Sequence, residues 1–385
     1  MKPICKQLFT YLFVTLTFIS SAYSQTVNDA TLLDYYQGQR YLEAVNYLKS
    51  IYQEPINNPV ALRNLAYASQ MASKLADAEG YYQRLYDLDS TKLNVLTSLA
   101  GINLRRGNLD KAGRYYKKLI TADSTNYIVI KQLADISDRK ADTTNFVKYL
   151  VIANKINPED ADVAGLLSNW YVNTKRNPLA EQVLKKAIAA DPENVVLMQS
   201  LIKLLHAQEK WAETIKTGTQ LLQKGDGSYQ TMIKLAQAYY RLKNYTCCLE
   251  TLAGMDQMQQ NETSYYYMAL SYKALKRYSK AIENFDLAIN DGISPAIPSY
   301  YGEMAGSYQE TKRFKKAVQL YERGLTFDER PMLLYSLATL YDTDLKDKAK
   351  AVKYYKKYLS TNPPALQRVY VDYTKSRITA LGSRL

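Results

Sequence analysis

The stretch Leu93–Ala122, LNVLTSLAGINLRRGNLDKAGRYYKKLITA, decides how the whole chain reads. Leu96, Leu99 and Ala100 recur at helical spacing. Arg106-Gly107-Asn108 interrupts the pattern, and Ala112, Tyr115, Tyr116 and Leu119 restart it at i, i+3, i+4 and i+7. That spacing collects the apolar side chains on one face of each segment. Two amphipathic helices are therefore expected, Leu93 to Arg106 and Leu109 to Ala122, folded against each other across a short turn.

Outward from this stretch the same feature returns. A small residue follows a short turn at Ala44, Ala78, Ala112, Ala180, Ala281, Ala317 and Ala351, and Phe146, Thr214 and Cys248 occupy the same register. The steps are 34 residues from 44 through 248, then 33, 36 and 34. A fixed period of this size marks a repeat array, in which each helix pair buries its apolar face on its neighbours. Between the pairs stand Asp89-Ser90, Asp123-Ser124, Asn157-Pro158, Asp191-Pro192 and Asn362-Pro363. Asp, Asn and Ser cap helix starts, and Pro fits a first helical turn.

Numbered within one period, the eighth unit carries Tyr265, Met268, Ala269, Tyr272, Tyr278, Ala281, Phe285 and Ala288. The fifth carries Leu167, Ser168, Tyr171, Ala180, Leu184, Ala187 and Pro192, and the second Leu62, Leu65, Ala66, Ala78 and Tyr82. These residues resemble the tetratricopeptide repeat family, whose pattern has a small residue at positions 8 and 20 and an aromatic at 24. The resemblance covers about residues 25–363. It implies an all-α fold, a right-handed α-α superhelical solenoid of about ten helix hairpins, with residues 364–385 as a C-terminal capping helix. There Leu366, Val369, Tyr370, Tyr373 and Ile378 are expected to shield the last apolar face. Phe146 and Thr214 depart from the small residue at position 20, and Gly218 from the aromatic at 24. Units four and six are therefore expected to be where the array bends or loosens.

In this family the first helix of each hairpin lines the concave surface, mainly through positions 2, 5, 9, 12 and 13. Carried onto this chain, those positions give Arg63, Tyr67 and Gln70 in unit two, and Lys131, Asp135 and Arg139 in unit four. Units five and six give Asn169, Asn173, Lys203 and His206. Units seven and eight give Gln237, Tyr240, Arg241, Tyr266 and Lys273. Tyr and Arg are the side chains that dominate binding hot spots. Tyr82, Tyr116, Tyr171, Tyr239, Tyr272 and Tyr321 fall at core positions instead. The Lys-then-Asn clamp with which some members grip an acidic tail is missing, because Asp135 follows Lys131 and Gly165 precedes Asn169.

Tyrosine is the compositional outlier, 36 Tyr against 7 Phe and 2 Trp. A ring with a polar tip suits a thin two-layer core that ends near water. The N-terminus has Lys2 and Lys6, an apolar run from Leu8 to Ile19, and Ala22 and Ser24 before Gln25. This is the three-part pattern of a cleaved export signal over residues 1–24. An uncleaved anchor is the competing reading, although the run is short of the roughly 20 residues that span a bilayer. Later residues contain no comparable stretch. Export points to a periplasm or cell-envelope location. Loss of the two lysines lowers the net charge from +13 to +11. Export makes acidic proteins, anionic headgroups or anionic glycans better partners for that charge than nucleic acid.

Catalytic groups are scarce. His206 is the one histidine, which excludes mechanisms and zinc sites that need two. It reads as a polar surface residue. Past the signal the cysteines are Cys247 and Cys248, adjacent and therefore poorly placed for a disulfide with each other. Gly225-Asp226-Gly227-Ser228 lacks the spacing of a phosphate loop and reads as a turn. No cofactor and no metal is expected. The expectation is a non-enzymatic scaffold or adaptor that holds a peptide or helix of a partner protein in its groove. The alternative is a binder of envelope polysaccharide.

Overall fold

The computed structural model describes residues 27–292 and 294–383. The export segment read over residues 1–24 lies outside the described residues. All regular structure among them is helical, with 21 α-helices and no strand. Two compact units share the chain, and the first ends at Asn157. In it α1 (Asp29–Gln37) pairs with α2 (Tyr41–Ile51), α3 (Pro59–Met71) with α4 (Leu75–Leu88), α5 (Leu93–Arg105) with α6 (Leu109–Ala122), and α7 (Tyr127–Arg139) with α8 (Thr143–Ile156). The second begins at Pro158. It holds α9 (Ala161–Asn173), α10 (Asn177–Ala190), α11 (Val195–Ala207), α12 (Trp211–Gln223), α13 (Tyr229–Arg241) and α14 (Tyr245–Ala253). Then follow α15 (Glu262–Ala274), α16 (Tyr278–Asp291), α17 (Ile297–Glu310), α18 (Phe314–Leu325), α19 (Pro331–Thr339), α20 (Lys348–Ser360) and α21 (Arg368–Ala380). Odd-numbered helices up to α19 are the first, A, members of hairpins and even-numbered ones the second, B, members.

Within each unit every helix packs on the helices before and after it in sequence. In the second unit α9, α11, α13, α15 and α17 also touch in succession, so the A helices form one layer and the B helices another. The core lies between the layers. Leu62, Leu65, Leu99, Ala66 and Ala100 of the A helices and Ala78 and Ala112 of the B helices are essentially without solvent contact. Each fully buried leucine contributes roughly 1.5–3 kcal/mol, so stability accumulates pair by pair.

The period is written in the backbone. Gln39, Ser73, Gly107, Ala141, Lys175, Glu209, Lys243, Lys276, Lys312 and Lys346 all have φ between 55° and 78°. Each stands five residues before the position-20 residue of its hairpin. In the second hairpin the Ser73 N–H donates to Gln70 O and the Lys74 N–H to Ser69 O, which satisfies the orphan carbonyls of α3. Left-handed residues of this kind are usually glycine. Here only Gly107 is, so the turns leave little trace in composition.

The Asp-Ser pairs between hairpins do not cap the next helix. Asp89 Oδ1 accepts from the Thr91 N–H at 3.0 Å, and Asp123 Oδ1 from the Thr125 N–H at 2.9 Å, so both tighten the exit turn of a B helix. The cap sits later. Asn58, Asn126, Asp160, Asn194 and Asn261 accept main-chain N–H bonds at the starts of α3, α7, α9, α11 and α15. Asn261 and Asn244, both in glycosylation-type triplets, spend their side chains as caps.

Unit six is packed by an exchange. Where the hairpins from the second to the tenth otherwise have Ala or Ser at position 8 it has Ile202, only 2% exposed, and where they have Leu, Tyr or Phe at position 24 it has Gly218. A Cβ on Gly218 would lie 3.1 Å from Ile202 Cδ1. The large side chain has moved from the B helix to the A helix. Thr214 is fully buried, and its hydroxyl donates to Lys210 O at 2.8 Å. In unit four Phe146 is half-buried while Leu150 is buried.

The last hairpin absorbs one extra residue. Elsewhere the small residues at positions 8 and 20 are 12 apart, as in Ala305 and Ala317; here Ala338 and Ala351 are 13 apart. The chain takes up the difference in a π turn over Leu340–Asp344, a common answer to a single insertion. That turn places Asp342, 6% exposed, against Arg377 of α21. Of the five apolar residues expected to shield the last face, Ile378 alone is buried. Leu366 and Val369 are 96% and 77% exposed, and Tyr370 and Tyr373 stay partly exposed around Tyr335. Helix α21 is held by its Ile378 edge and the Arg377 ion pair.

Candidate functional site: the A-helix face

Position 12 of an A helix and position 17, the first residue of the B helix, meet across the hairpin turn. His206 and Trp211 meet edge-on at 5.2 Å between ring centroids, and the tilted pairs Tyr240–Tyr245 and Tyr36–Tyr41 lie at 5.6 and 6.2 Å. The position-12 group then reaches the next A helix. Tyr36 lies 5.3 Å from Tyr67, Tyr240 lies 5.5 Å from Tyr267, and Lys273 Nζ is 2.8 Å from Glu303 Oε2. The A-helix face is thus built from contacts between consecutive hairpins.

In the first unit Tyr36, Arg63, Tyr67, Asn94 and Ser98 line a cleft of about 350 Å³. Tyr67 and Arg63 are exposed there and Gln70 half-buried. Burial first, then the neighbouring Tyr67 and Tyr82, push the Tyr36 hydroxyl up to about 12, so it stays protonated. Lys131 lies over the Tyr127 ring at 5.7 Å. Arg139 is exposed and 3.7 Å from Asp135.

In the second unit the expected residues separate by what surrounds them. Tyr266 is wedged between Tyr300, at 4.4 Å, and Phe285, at 6.1 Å, so it joins hairpins eight and nine before it offers any surface. Lys273 is occupied by Glu303. Asn173 is exposed, while Asn169 Oδ1 is buried without a hydrogen-bond partner. Lys203, Gln237 and Tyr240 are half-buried and Arg241 is exposed. His206 is not a free surface group: it is half-buried against Trp211. Burial, then the Lys234 and Arg241 charges, lower its pKa to about 4, so it is neutral at pH 7.

Four residues of this face escape the positions carried over from the family. Lys234 and Tyr267 stand at position 6, Trp211 at 17 and Trp170 at 10. Arg241 lies over the Trp211 ring at 5.7 Å and Arg176 over Trp170 at 5.4 Å, each cation held by the negative face of the ring. The recurrence of an aromatic at position 17, in Tyr41, Trp211, Tyr245, Tyr278 and Phe314, is visible in the sequence and would have found Trp211.

Among the described residues no three His, Cys, Asp or Glu side chains gather as metal ligands, and no helix is long and apolar enough to cross a membrane. Cys248 is buried, and burial raises its thiol to about 11, which suits a filler and not a nucleophile.

Residues 263–291 and 333–364 each match a family profile described as tetratricopeptide repeat. Among curated proteins no sequence matches. Several solved structures are similar. A tetratricopeptide repeat protein from Parabacteroides merdae is 14% identical, with 65% of this chain and 98% of that one covered, at a TM-score of 0.44. Yeast Tom70 is 12% identical over 91% and 95% of the chains, at 0.41. A MamA fragment from Desulfovibrio magneticus is 14% identical over 44% and 95%, at 0.41.

Proposed function

We propose that this chain, a tetratricopeptide repeat protein, is a non-enzymatic scaffold that holds an extended peptide or a helix of a partner protein against its A-helix face. Tandem helix hairpins of this kind are protein-interaction surfaces, and the fold supports that coarse role. The observation that carries the finer reading is the run of cations and rings across α9, α11, the start of α12 and α13, where Trp170, Lys203, Trp211 and Arg241 keep part of their surface open. Aromatic rings bury large area at low entropic cost on binding, and Arg is enriched beside them in binding hot spots. By the export segment read over residues 1–24, the scaffold works in the periplasm or cell envelope.

The test is affinity capture from envelope extract with residues 25–385 as bait. A second bait carries Tyr67→Ala, Lys203→Ala and Arg241→Ala, and a third Lys185→Ala and Lys186→Ala on the exposed side of α10. Tyr266 is left intact because its ring packs the core. A protein held by the first and third baits and lost from the second supports the reading. Retention by all three refutes it, and retention of envelope polysaccharide alone moves the glycan reading ahead.

A further inference from the structure

Cations on the A helices of the second unit fall into two groups. Lys273 is paired with Glu303. Lys203, Lys234 and Arg241 have no carboxylate within ion-pair distance among the described residues, although ion pairs occur elsewhere in the same unit, as Lys224 with Glu193 and Lys357 with Glu329. They are also close together. Lys203 on α11 and Lys234 on α13 repel each other across two packed helices, and burial with that repulsion disfavours the Lys234 charge. Arg241, two turns along α13, lies over Trp211, which in turn holds His206 edge-on. Gln237 stands between Lys234 and Arg241, beside His206 and Tyr267. Three positive groups are thus gathered on one stretch of face, with no carboxylate paired to them among the described residues.

From this arrangement we infer that Lys203, Lys234 and Arg241, set around the His206–Trp211 pair, form a seat for an acidic side chain of the bound peptide segment. A carboxylate there would meet charge-assisted donors from two helices. Because three cations face it, one carboxylate leaves the site positive, so a run of acidic residues fits better than one. The seat rests on the scaffold reading above and narrows it to acidic partners.

His206 reports occupancy. The charges that reach it are Lys234 and Arg241 from α13. Lys203 lies one turn back on its own helix, and α12 sets the uncharged Trp211 against the ring; α9, with Asp162, and α10, with Glu181, Lys185 and Lys186, also pack on α11, but their charges are not among those that shift His206. Lys234 and Arg241 oppose the imidazolium, while the Gln237 side chain favours it. A carboxylate between them reverses part of that field, so binding should draw a proton onto His206. The chain has a single histidine, so its ring signals are unambiguous.

The experiment is NMR of histidine-labelled protein at pH 5.5, titrated with blocked hexa-aspartate, with hexa-asparagine and with sulfate at matched ionic strength. The seat predicts that hexa-aspartate alone moves the His206 ring toward the imidazolium position and raises its midpoint by at least about one pH unit, a tenfold change in proton affinity. In Lys203→Met/Lys234→Met, which keeps the stems and the apolar packing, that ligand-induced shift should vanish. No shift with hexa-aspartate, an equal shift in the double variant, or an equal shift with hexa-asparagine or sulfate would overturn the inference. Capture of the partner by the double variant, together with an unmoved His206, would refute the seat and leave the scaffold standing.

Discussion

Arg377 closes a two-pronged ion pair on Asp342, Nε to Oδ2 and Nη2 to Oδ1, both at 2.8 Å, and the Tyr355 hydroxyl donates to the same carboxylate at 3.1 Å. The π turn of the last hairpin carries Asp342, and the final helix carries Arg377. An inserted residue in one element has thereby become the fastening of another.

Removing that fastening should release α21 without unfolding the hairpins. Asp342→Asn is expected to cost about 1–2 kcal/mol, less than a fully buried pair because Arg377 is partly exposed. Hydrogen exchange over residues 368–380 should rise at least tenfold while α15 and α17 keep their protection. The Arg377 hydrogen bonds hold the Asp342 carboxyl below its ordinary range. Its contribution is therefore present above the unfolded carboxylate value and is lost as pH falls through the folded one. Exchange in α21 should accelerate on acidification in the wild type and stay flat in the variant.

The exchange of side chains in unit six gives a double-mutant test. Gly218→Phe overfills the space beside Ile202 and should cost about 1–3 kcal/mol. Ile202→Ala alone opens a cavity and should cost about 2–5 kcal/mol. Combined, they restore the family arrangement, and denaturant melts should show the pair at least about 1 kcal/mol better than the sum. Additive losses would mean that the two positions do not share one space.

Much of this was legible in the chain and some was not, for physical reasons. The period was readable because the small residue at position 20 is imposed by close helix approach, which few side chains tolerate. The left-handed backbone of the turns was not, since a lysine can sit in that region at modest cost and nine of ten turns use something other than glycine. The π turn hid as a one-residue slip between Ala338 and Ala351. On the A-helix face, spacing alone could place Lys203 and Arg241 but could not tell that Tyr266 would be taken by Tyr300 and Lys273 by Glu303. Those pairings join neighbouring hairpins 30 or more residues apart.

The turn residues offer a stability test with opposite signs. Lys175→Gly and Lys243→Gly relieve a left-handed side-chain residue and should each raise stability by up to about 1 kcal/mol. Gly107→Ala introduces that strain where nothing crowds the new Cβ, so its cost, about 1 kcal/mol, is purely that of the backbone. Thermal midpoints on the three variants check both directions.

His206 sets a pH window. Its folded pKa, about 4, lies below the ordinary value of 6.5, so between the two the unfolded chain binds the extra proton. Stability should fall as pH drops from 6.5 toward 4. In His206→Gln that part of the slope should disappear, as urea melts at pH 7, 5.5 and 4.5 would show.

The claim that the A-helix face is the working surface is tested most directly by site-specific photo-crosslinking in envelope extract. A photoreactive phenylalanine analogue replaces Tyr67, Lys203 or Arg241 on A helices, or Lys185 on α10. The account predicts one partner band, shared by the A-helix positions and absent from the α10 position. A band from Lys185 with none from the A helices would contradict it.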